Sequence, residues 1–248
     1  MRQFANVALR CIVVSMKLSR GTTAKLVALF DGCLPPFIRD SSLLMVPIFK
    51  LLFRDKAHFF KEFKGRAHLL TDEQYRSIYK AVAPVCIQRE TDISAKCLKA
   101  ILKNIIGKDV LEVGCGRGYL AGILAHSRNV TAVDMVIEKN LETLYPNVSF
   151  RESTVEKLPF LDNSFDTTVT THTLEHVLNF HDAVKELRRV TKKKLIIVVP
   201  AQRPYRYTFD LHVNFFPYPH SFLIAIQAPP QKSSCINING ELLYIENF

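Results

Sequence analysis

The strongest constraint on the fold is the stretch Val110–Gly118, where a short, mostly apolar run ends in three glycines at alternate positions. The run is too short for a helix and is typical of a buried strand. Gly114, Gly116 and Gly118 predict a tight turn in which the backbone passes close to a ligand. A helix-compatible segment follows, so strand, turn and helix together predict a cradle for a nucleotide-like molecule.

A second predicted strand, residues 129–134, ends in a carboxylate that strengthens this interpretation. Asp134 lies 20 residues after Gly114. A carboxylate at that distance from the glycine turn can accept hydrogen bonds from both hydroxyls of a ribose. The pair of strands therefore predicts a site for a ligand that carries a ribose.

The rest of the chain predicts an α/β fold. Further strands are expected at residues 148–152, 167–171 and 195–200, with helical patterns before or between them. The strand at 195–200 is wholly apolar, which is typical of a strand buried on both faces of a parallel sheet. Asn239-Gly240, set between alternating residues, predicts a final antiparallel hairpin that closes the sheet.

The charge is unevenly distributed, with 19 Lys/Arg against 8 Asp/Glu in residues 1–108 and 14 against 15 in the rest. A basic front half favours an anionic partner, such as a membrane surface, a nucleic acid or an acidic substrate; a solvated basic face is the alternative. We expect residues 1–55 to form a basic, apolar helical extension. Contact with an anionic membrane surface and packing onto the main domain are the two alternatives for its apolar side chains. No recognised nucleic-acid motif frames the basic residues, so nucleic acid is the less favoured partner. Residues 56–248 are expected to form the main domain with its lead-in helices.

The spacing of the cysteines and the length of the apolar runs indicate the cellular location expected for the chain. Six cysteines are scattered without a CxxC pair, which argues against a zinc site and against a disulfide framework. We therefore expect no metal and a reducing cytoplasm. The apolar runs are far shorter than the roughly 20 residues that a transmembrane helix needs. The expected location is cytoplasmic, with the front half peripheral to the inner membrane surface.

Residues 109–200 resemble class I S-adenosylmethionine-dependent methyltransferases of the group called methyltransferase type 11. The G-x-G-x-G spacing differs from the G-x-G-x-x-G of dinucleotide-binding dehydrogenases. The resemblance implies a Rossmann-like seven-stranded sheet in the order 3-2-1-4-5-7-6, with strand 7 antiparallel and helices on both faces. The matching segments are 111–118, Val133-Asp134, Leu158-Pro159-Phe160, Ser164-Phe165-Asp166 and Leu174-Glu175-His176-Val177.

The resemblance also implies S-adenosylmethionine as cofactor and assigns its contacts. Glu112 would anchor the amino group, Asp134 would take the ribose hydroxyls and Met135 would lie against the adenine. Thr154 stands where many relatives carry an aspartate for the adenine amino group, so that hydrogen bond would lack charge assistance unless Glu156 supplies it. The full set of expected cofactor contacts is Glu112, Gly114, Cys115, Gly116, Gly118, Asp134, Met135, Thr154, Val155 and Thr171.

Two histidines after strand 4 are candidates for a catalytic role in methyl transfer. Methyl transfer is an in-line displacement that needs the acceptor atom within about 3–3.5 Å of the methyl carbon. A hydroxyl acceptor also benefits from a general base. His176 and His172 are the predicted catalytic residues. The alternative for His176 is a structural role, in which it ties the loop to the sheet together with Glu175.

The segment after strand 5 is predicted to bind the substrate, and a well-packed loop with exposed arginines is the alternative. Arg203, Tyr205, Arg206, Tyr207 and His212 crowd the expected rim of the site. Arginine suits phosphate or carboxylate groups. We therefore expect methylation, by O-transfer, of a glycan, a lipid-linked glycan or another small molecule. The alternatives are an RNA or protein methyltransferase, although the Asn/Asp-Pro-Pro-Tyr/Phe motif is absent, and a non-catalytic cofactor-binding or partner-binding domain.

Overall fold

The computed structural model describes residues 34–53, 57–82, 90–207 and 210–248. The chain divides into two compact units. The first comprises residues 1–89 together with Tyr205–Leu211, and the second comprises Glu90–Pro204 together with His212–Phe248. The first part of the expected helical extension, residues 1–33, lies outside the described residues. The expected domains, residues 1–55 and residues 56–248, stay a prediction.

The first unit is helical where it is described. Its helices are α1 (Pro36–Arg39), α2 (Ser42–Phe53), α3 (Ala57–Arg66) and α4 (Asp72–Val82), with a 3-10 turn at Ala67–Leu69 after α3. α2 continues through Pro47. Phe37, Leu43 and Leu51 are more than half exposed on α1 and α2. Exposed apolar side chains of this kind are compatible with membrane contact, which stays a prediction.

Residues 205–207 join the first unit through a buried arginine. Arg39 has no exposed surface. Its guanidinium lies 5.0 Å from the centre of the Tyr205 ring, and its Nη1 donates a hydrogen bond to the Tyr207 carbonyl oxygen. Phe49 packs edge-on against the Tyr207 ring at 5.8 Å. This segment therefore packs with α1 and α2, although it is far from them in sequence.

The second unit is built on a seven-stranded sheet in the order β3-β2-β1-β4-β5-β7-β6. β7 pairs antiparallel with β5 and β6, and the other pairs are parallel. The predicted strand order and the predicted terminal hairpin are confirmed. The strands are β1 (Asp109–Val113), β2 (Asn129–Asp134), β3 (Val148–Glu152), β4 (Phe165–Thr171), β5 (Thr191–Pro200), β6 (Ser233–Ile238) and β7 (Glu241–Asn247).

Helices cover both faces of this sheet. They are α5 (Ala95–Asn104), α6 (Tyr119–Leu124), α7 (Leu141–Leu144), α8 (Phe180–Val190) and α9 (Pro219–Ala225), with a 3-10 turn at Leu174–His176. Because side chains alternate along a strand, β5 contributes to two separate cores. Leu195 and Ile197 pack in one core with Leu187 of α8, whereas Ile196 packs in the other with Ile101 of α5. Burial on both faces explains why the second half of β5, residues 195–199, is wholly apolar, whereas the three lysines before it are exposed or half-buried.

The parallel connections place the carboxyl ends of β1, β2, β4 and β5 on one edge of the sheet. In open α/β sheets, ligands bind at this edge. The antiparallel register sets Pro200 opposite Glu241, so the start of β7 reaches the same edge. In the part of the chain that the structure describes, no helix is long and apolar enough to cross a bilayer.

Replacing Ile197 by alanine is expected to lower the free energy of unfolding by about 2–5 kcal/mol. The reason is that this side chain is fully buried in the core between β5 and α8. Ile236, half-exposed on the edge strand β6, is the matched control. Ile236→Ala should change the stability by no more than about 0.5 kcal/mol. Urea unfolding of both variants measures the difference. Equal losses in the two variants would contradict the assignment of β5 to the core.

Candidate functional site

The glycine turn joins the ends of β1 and β2. The backbone N–H groups of Gly114 and Cys115 both donate to the carbonyl oxygen of Val133, at 2.8 and 3.1 Å. Gly114, Gly116 and Gly118 have φ angles of 75°, 51° and 72°. These angles lie in the left-handed region, which glycine adopts without steric cost. The sequence therefore needs glycine here to turn the chain from β1 into α6.

Two of these glycines face different surroundings. A Cβ at Gly114 would lie 2.0 Å from Thr173 Oγ1, so the loop after β4 packs directly on the backbone there. A Cβ at Gly116 would meet no heavy atom within 4 Å. Gly114 is thus required by packing, whereas Gly116 fronts open space. That space is the cradle, and its floor is the backbone of the turn.

Asp134 forms one wall of the cradle. Gly116 N–H donates to Asp134 Oδ2 at 2.8 Å, and Val136 N–H donates to Oδ1 at 3.4 Å. Burial raises the pKa of Asp134, while backbone hydrogen bonds, from Gly116 first, and the charge of His176 act in the opposite direction. A carboxylate can accept about four hydrogen bonds, so both oxygens keep acceptor capacity.

Glu112 lies beneath the same turn and is 2% exposed. Burial raises the pKa of Glu112 to about 8; the charge of Asp134 adds to this, and a hydrogen bond from the Ala121 backbone opposes it. Its Oε2 makes no hydrogen bond with any described residue. A buried polar atom without a partner is costly, and a ligand group that pairs with it would recover that cost.

The remaining predicted cofactor residues lie around the ends of the same strands. Ser153 N–H donates to the Asp134 carbonyl oxygen at 2.9 Å, which brings Thr154 and the buried Val155 beside β2. Met135, directly after β2, is half-buried. Thr171 is buried at the end of β4, and Cys115 is buried in the turn with its thiol pKa raised by burial. These contacts to a cofactor stay predictions.

His172 follows β4 and lies between two carboxylates. Its Nε2 is 3.1 Å from Glu241 Oε1, and its Nδ1 is 3.4 Å from Glu175 Oε1. Burial alone would lower the pKa of His172, but these carboxylates, with a smaller effect from Asp92, raise it to about 9. Its φ of 52° is unusual for a residue other than glycine. Such strain persists only where the surrounding contacts fix it.

A second group of titratable side chains adjoins His172. Rings of His176 and His212 meet edge to face with centroids 4.6 Å apart. Glu175 is 1% exposed. Burial alone would raise the pKa of Glu175, but its contact with His172 and the charges of His176 and His212 hold it below its usual value. The two predicted catalytic histidines thus both adjoin one buried carboxylate.

The predicted substrate residues are divided between the two units. His212 lies with His176, and Arg203 is exposed in the same unit, donating from Nη2 to the Tyr218 hydroxyl at 3.2 Å. The other three, Tyr205, Arg206 and Tyr207, belong to the first unit, where both tyrosine side chains are buried. Substrate binding by any of the five stays a prediction.

The sequence analysis did not single out Glu241 or Gln202. Glu241 contacts His172 and also accepts the Ser94 backbone N–H at 3.0 and 3.1 Å. Gln202 Oε1 is 2.6 Å from His212 Nδ1. The signal for Glu241 was available, because the Asn239-Gly240 hairpin fixes the register that carries it to the ligand edge. Gln202 has no such signal.

Comparisons with known proteins show which family the sheet-forming part of the chain is similar to. A family model described as a methyltransferase domain, type 11, matches residues 111–199. A probable S-adenosylmethionine-dependent methyltransferase of Mycobacterium tuberculosis is 30% identical over 140 residues, which is 55% of this chain and 43% of that protein. A ubiquinone biosynthesis O-methyltransferase of Rickettsia bellii is 28% identical over 110 residues, which is 41% of this chain and 45% of that protein.

Among solved structures, a SAM-dependent methyltransferase of Aquifex aeolicus superposes with a TM-score of 0.49 at 18% identity, over 60% of this chain and 88% of that one. The chain spans less than half the length of the curated relatives named above. The aligned region contains the glycine turn, Asp134 and the Glu175-His176 pair. Residues 111–199 therefore match a type 11 methyltransferase domain, and the curated relatives named above are described as methyltransferases.

Proposed function

We propose that this chain is an S-adenosylmethionine-dependent methyltransferase that methylates a hydroxyl group of a small molecule. The observation that carries the proposal is the pairing of two features at one edge of the sheet. One is the glycine cradle walled by Asp134, and the other is the group of histidines and carboxylates after β4. The glycine cradle suits the cofactor, and the group of histidines and carboxylates suits the methyl acceptor.

The residues of the cradle fit the cofactor. Open space at Gly116 admits a ligand against the backbone. Asp134 can accept the ribose hydroxyls, and the unpaired Oε2 of Glu112 can take a hydrogen bond from the methionine amino group. Thr171, at the end of β4, would adjoin the methionyl end. We place Met135, Thr154 and Val155 on the adenine side, since they follow β2 and β3.

When bound, S-adenosylmethionine supplies a sulfonium methyl group. Transfer breaks the sulfur–carbon bond, forms an oxygen–carbon bond and releases the proton of the acceptor hydroxyl. His176 is the favoured proton acceptor, because its 3-10 turn follows β4 at the ligand edge and its imidazole lies beside Glu175 and His212. His172 is held protonated at neutral pH by Glu175 and Glu241, so we assign it a positioning role.

Two observations support the class of acceptor. Arg203 is exposed on the segment after β5, where a guanidinium can pair with a phosphate or carboxylate of the substrate. The Rickettsia bellii relative is named as an O-methyltransferase, which favours a hydroxyl over an amine. We therefore favour an anionic small molecule, with glycans and lipid-linked glycans as the leading candidates. The rings of Tyr205 and Tyr207 pack with Arg39 and Phe49 in the first unit, and their contact with substrate stays a prediction.

Labelling tests the proposal directly. The protein is incubated with methyl-labelled S-adenosylmethionine and separated cell fractions of small molecules, lipids, polysaccharides, RNA and protein. We expect label in the small-molecule, lipid or polysaccharide fraction, and excess S-adenosylhomocysteine should suppress it. Label confined to RNA or protein would contradict the acceptor class. Absence of label from every fraction, with an active reference methyltransferase run in parallel, would contradict the activity.

The pKa of Glu112 predicts a pH dependence of stability in the cofactor-free protein. Its folded value of about 8 lies above the ordinary value of 4.5, so the folded state binds the proton more tightly. The stability from this group is therefore present below pH 4.5 and is lost as the pH rises towards 8. Glu112→Gln should remove a slope of about 1.4 kcal/mol per pH unit across this window.

Urea unfolding between pH 5 and 8 measures this slope. Glu142→Gln, which alters an exposed carboxylate on α7, is the matched control and should keep the wild-type slope. Parallel stability profiles of the wild type and Glu112→Gln would show that Glu112 is ionised in the folded protein, contrary to the raised pKa.

A further inference from the structure

Glu175, His176 and His212 form a cluster with metal-ligating chemistry. Each offers one ligand atom, and these atoms all lie within 4.8 Å of one another. Glu175 and His176 belong to the 3-10 turn after β4, and His212 arrives from the segment after β5. Two imidazoles and one carboxylate are a common ligand set for divalent transition metals in proteins.

The carboxylate of the cluster is buried and has few polar contacts. Glu175 is 1% exposed, and neither Oε1 nor Oε2 makes a hydrogen bond with any described residue. Its Oε1 forms an ion pair with His172 Nδ1 at 3.4 Å. A buried carboxylate normally accepts several hydrogen bonds or binds a metal. Glu175 has the ion pair with His172 in place of such hydrogen bonds, and the imidazoles of His176 and His212 supply the rest of a metal site.

His212 is oriented in the way that metal-binding histidines are. Its Nδ1 lies 2.6 Å from Gln202 Oε1, which can only accept, so Nδ1 carries the proton. The lone pair is then on Nε2. A histidine ligand almost always donates its other ring N–H to an oxygen in this way, which fixes the tautomer and the ring orientation. Gln202 thus accepts the hydrogen bond that orients His212 and leaves its Nε2 facing away from Gln202.

The backbone around the cluster is also clamped. Val213 and Asn214 donate their backbone N–H groups to the Glu175 carbonyl oxygen, at 2.8 and 3.0 Å. The Asn214 side chain donates to the carbonyl oxygens of Leu174 and Val177, at 2.9 and 2.6 Å. These bonds tie the segment that carries His212 to the turn that carries Glu175 and His176. The ligand geometry is therefore held before any ion binds.

We propose that Glu175, His176 and His212 bind a divalent transition-metal cation. Three protein ligands leave coordination positions open, as in catalytic metal sites. The sequence analysis predicted no metal, because it searched for paired cysteines and regular ligand spacings. Here two ligands are adjacent in sequence on a 3-10 turn and the third is brought in by the fold, so no spacing pattern marks the site.

The role of this cation rests on the function proposed above. An acceptor hydroxyl bound at an open position loses its proton more readily, because the cation stabilises the alkoxide. The methyl group then passes from sulfur to that oxygen, the electrons of the broken bond stay on sulfur, and the proton goes to solvent. In the metal-bound protein His176 is a ligand and does not take the proton.

Cobalt(II) binding to the whole 248-residue chain tests the site. Co²⁺ is the probe because its visible absorption reports the ligand set. After treatment with a chelator and removal of the chelator, the wild type should bind about one Co²⁺ at this site with a visible band. Glu175→Gln and His212→Gln should each weaken binding at least about 10-fold. His181→Gln, which alters an exposed histidine on α8, should bind as the wild type does.

Thermal unfolding and S-adenosylhomocysteine binding verify that each variant is folded. Loss of Co²⁺ binding in a variant that still binds S-adenosylhomocysteine supports the site. Failure of the folded wild type to bind Co²⁺ below millimolar concentration, or unchanged binding in both cluster variants, would overturn it. Because this readout is metal binding, it is independent of methyl transfer. Label transfer that persists in chelator, without Co²⁺ binding, would leave His176 as the base and remove the metal.

Discussion

The carbonyl oxygen of Val133 is the acceptor on which the site depends. Two consecutive N–H groups, from Gly114 and Cys115, converge on it and tie the end of β1 to the end of β2. One residue further along the turn, the Gly116 N–H donates a hydrogen bond to Asp134 Oδ2. Within a few residues the chain has thus joined two strands, turned into a helix and fixed a carboxylate beside open space. The cradle is a direct product of backbone hydrogen bonding.

The acceptor end of the site depends on a different physical constraint, the burial of charge. Glu175 and Glu241 are both nearly inaccessible to solvent, and His172 lies between them as their shared cation. Ser94, the N-cap of α5, donates its backbone N–H to Glu241. Helix α5 and strands β4 and β7 are thereby linked at one edge of the sheet. Removing one member of this network would leave another charge buried without its partner, which costs free energy of folding. Each member therefore depends on the others.

The cofactor end and the acceptor end of the site also differ in how well the sequence predicted them. The strand order and the cradle could be predicted, because their signals are local: an apolar run, glycines at fixed spacing and a carboxylate at the end of the next strand. The contacts of Glu241 and Gln202 depend on register and tertiary approach, which sequence patterns do not specify. Residues 205–207 were predicted as part of the substrate rim, and the structure packs them with Arg39, a buried arginine that no local pattern indicated.

The central claim is that the turn at Gly116 and Asp134 binds S-adenosylmethionine. Calorimetric titration with S-adenosylhomocysteine tests it most directly, comparing the wild type with Asp134→Asn and with Asp162→Asn, a control at an exposed aspartate. We expect saturable binding by the wild type and the control. Asp134→Asn should bind at least about 10-fold more weakly, since a charge-assisted hydrogen bond contributes about 1.5–3 kcal/mol. No binding by the folded wild type, or equal binding by Asp134→Asn, would contradict the claim.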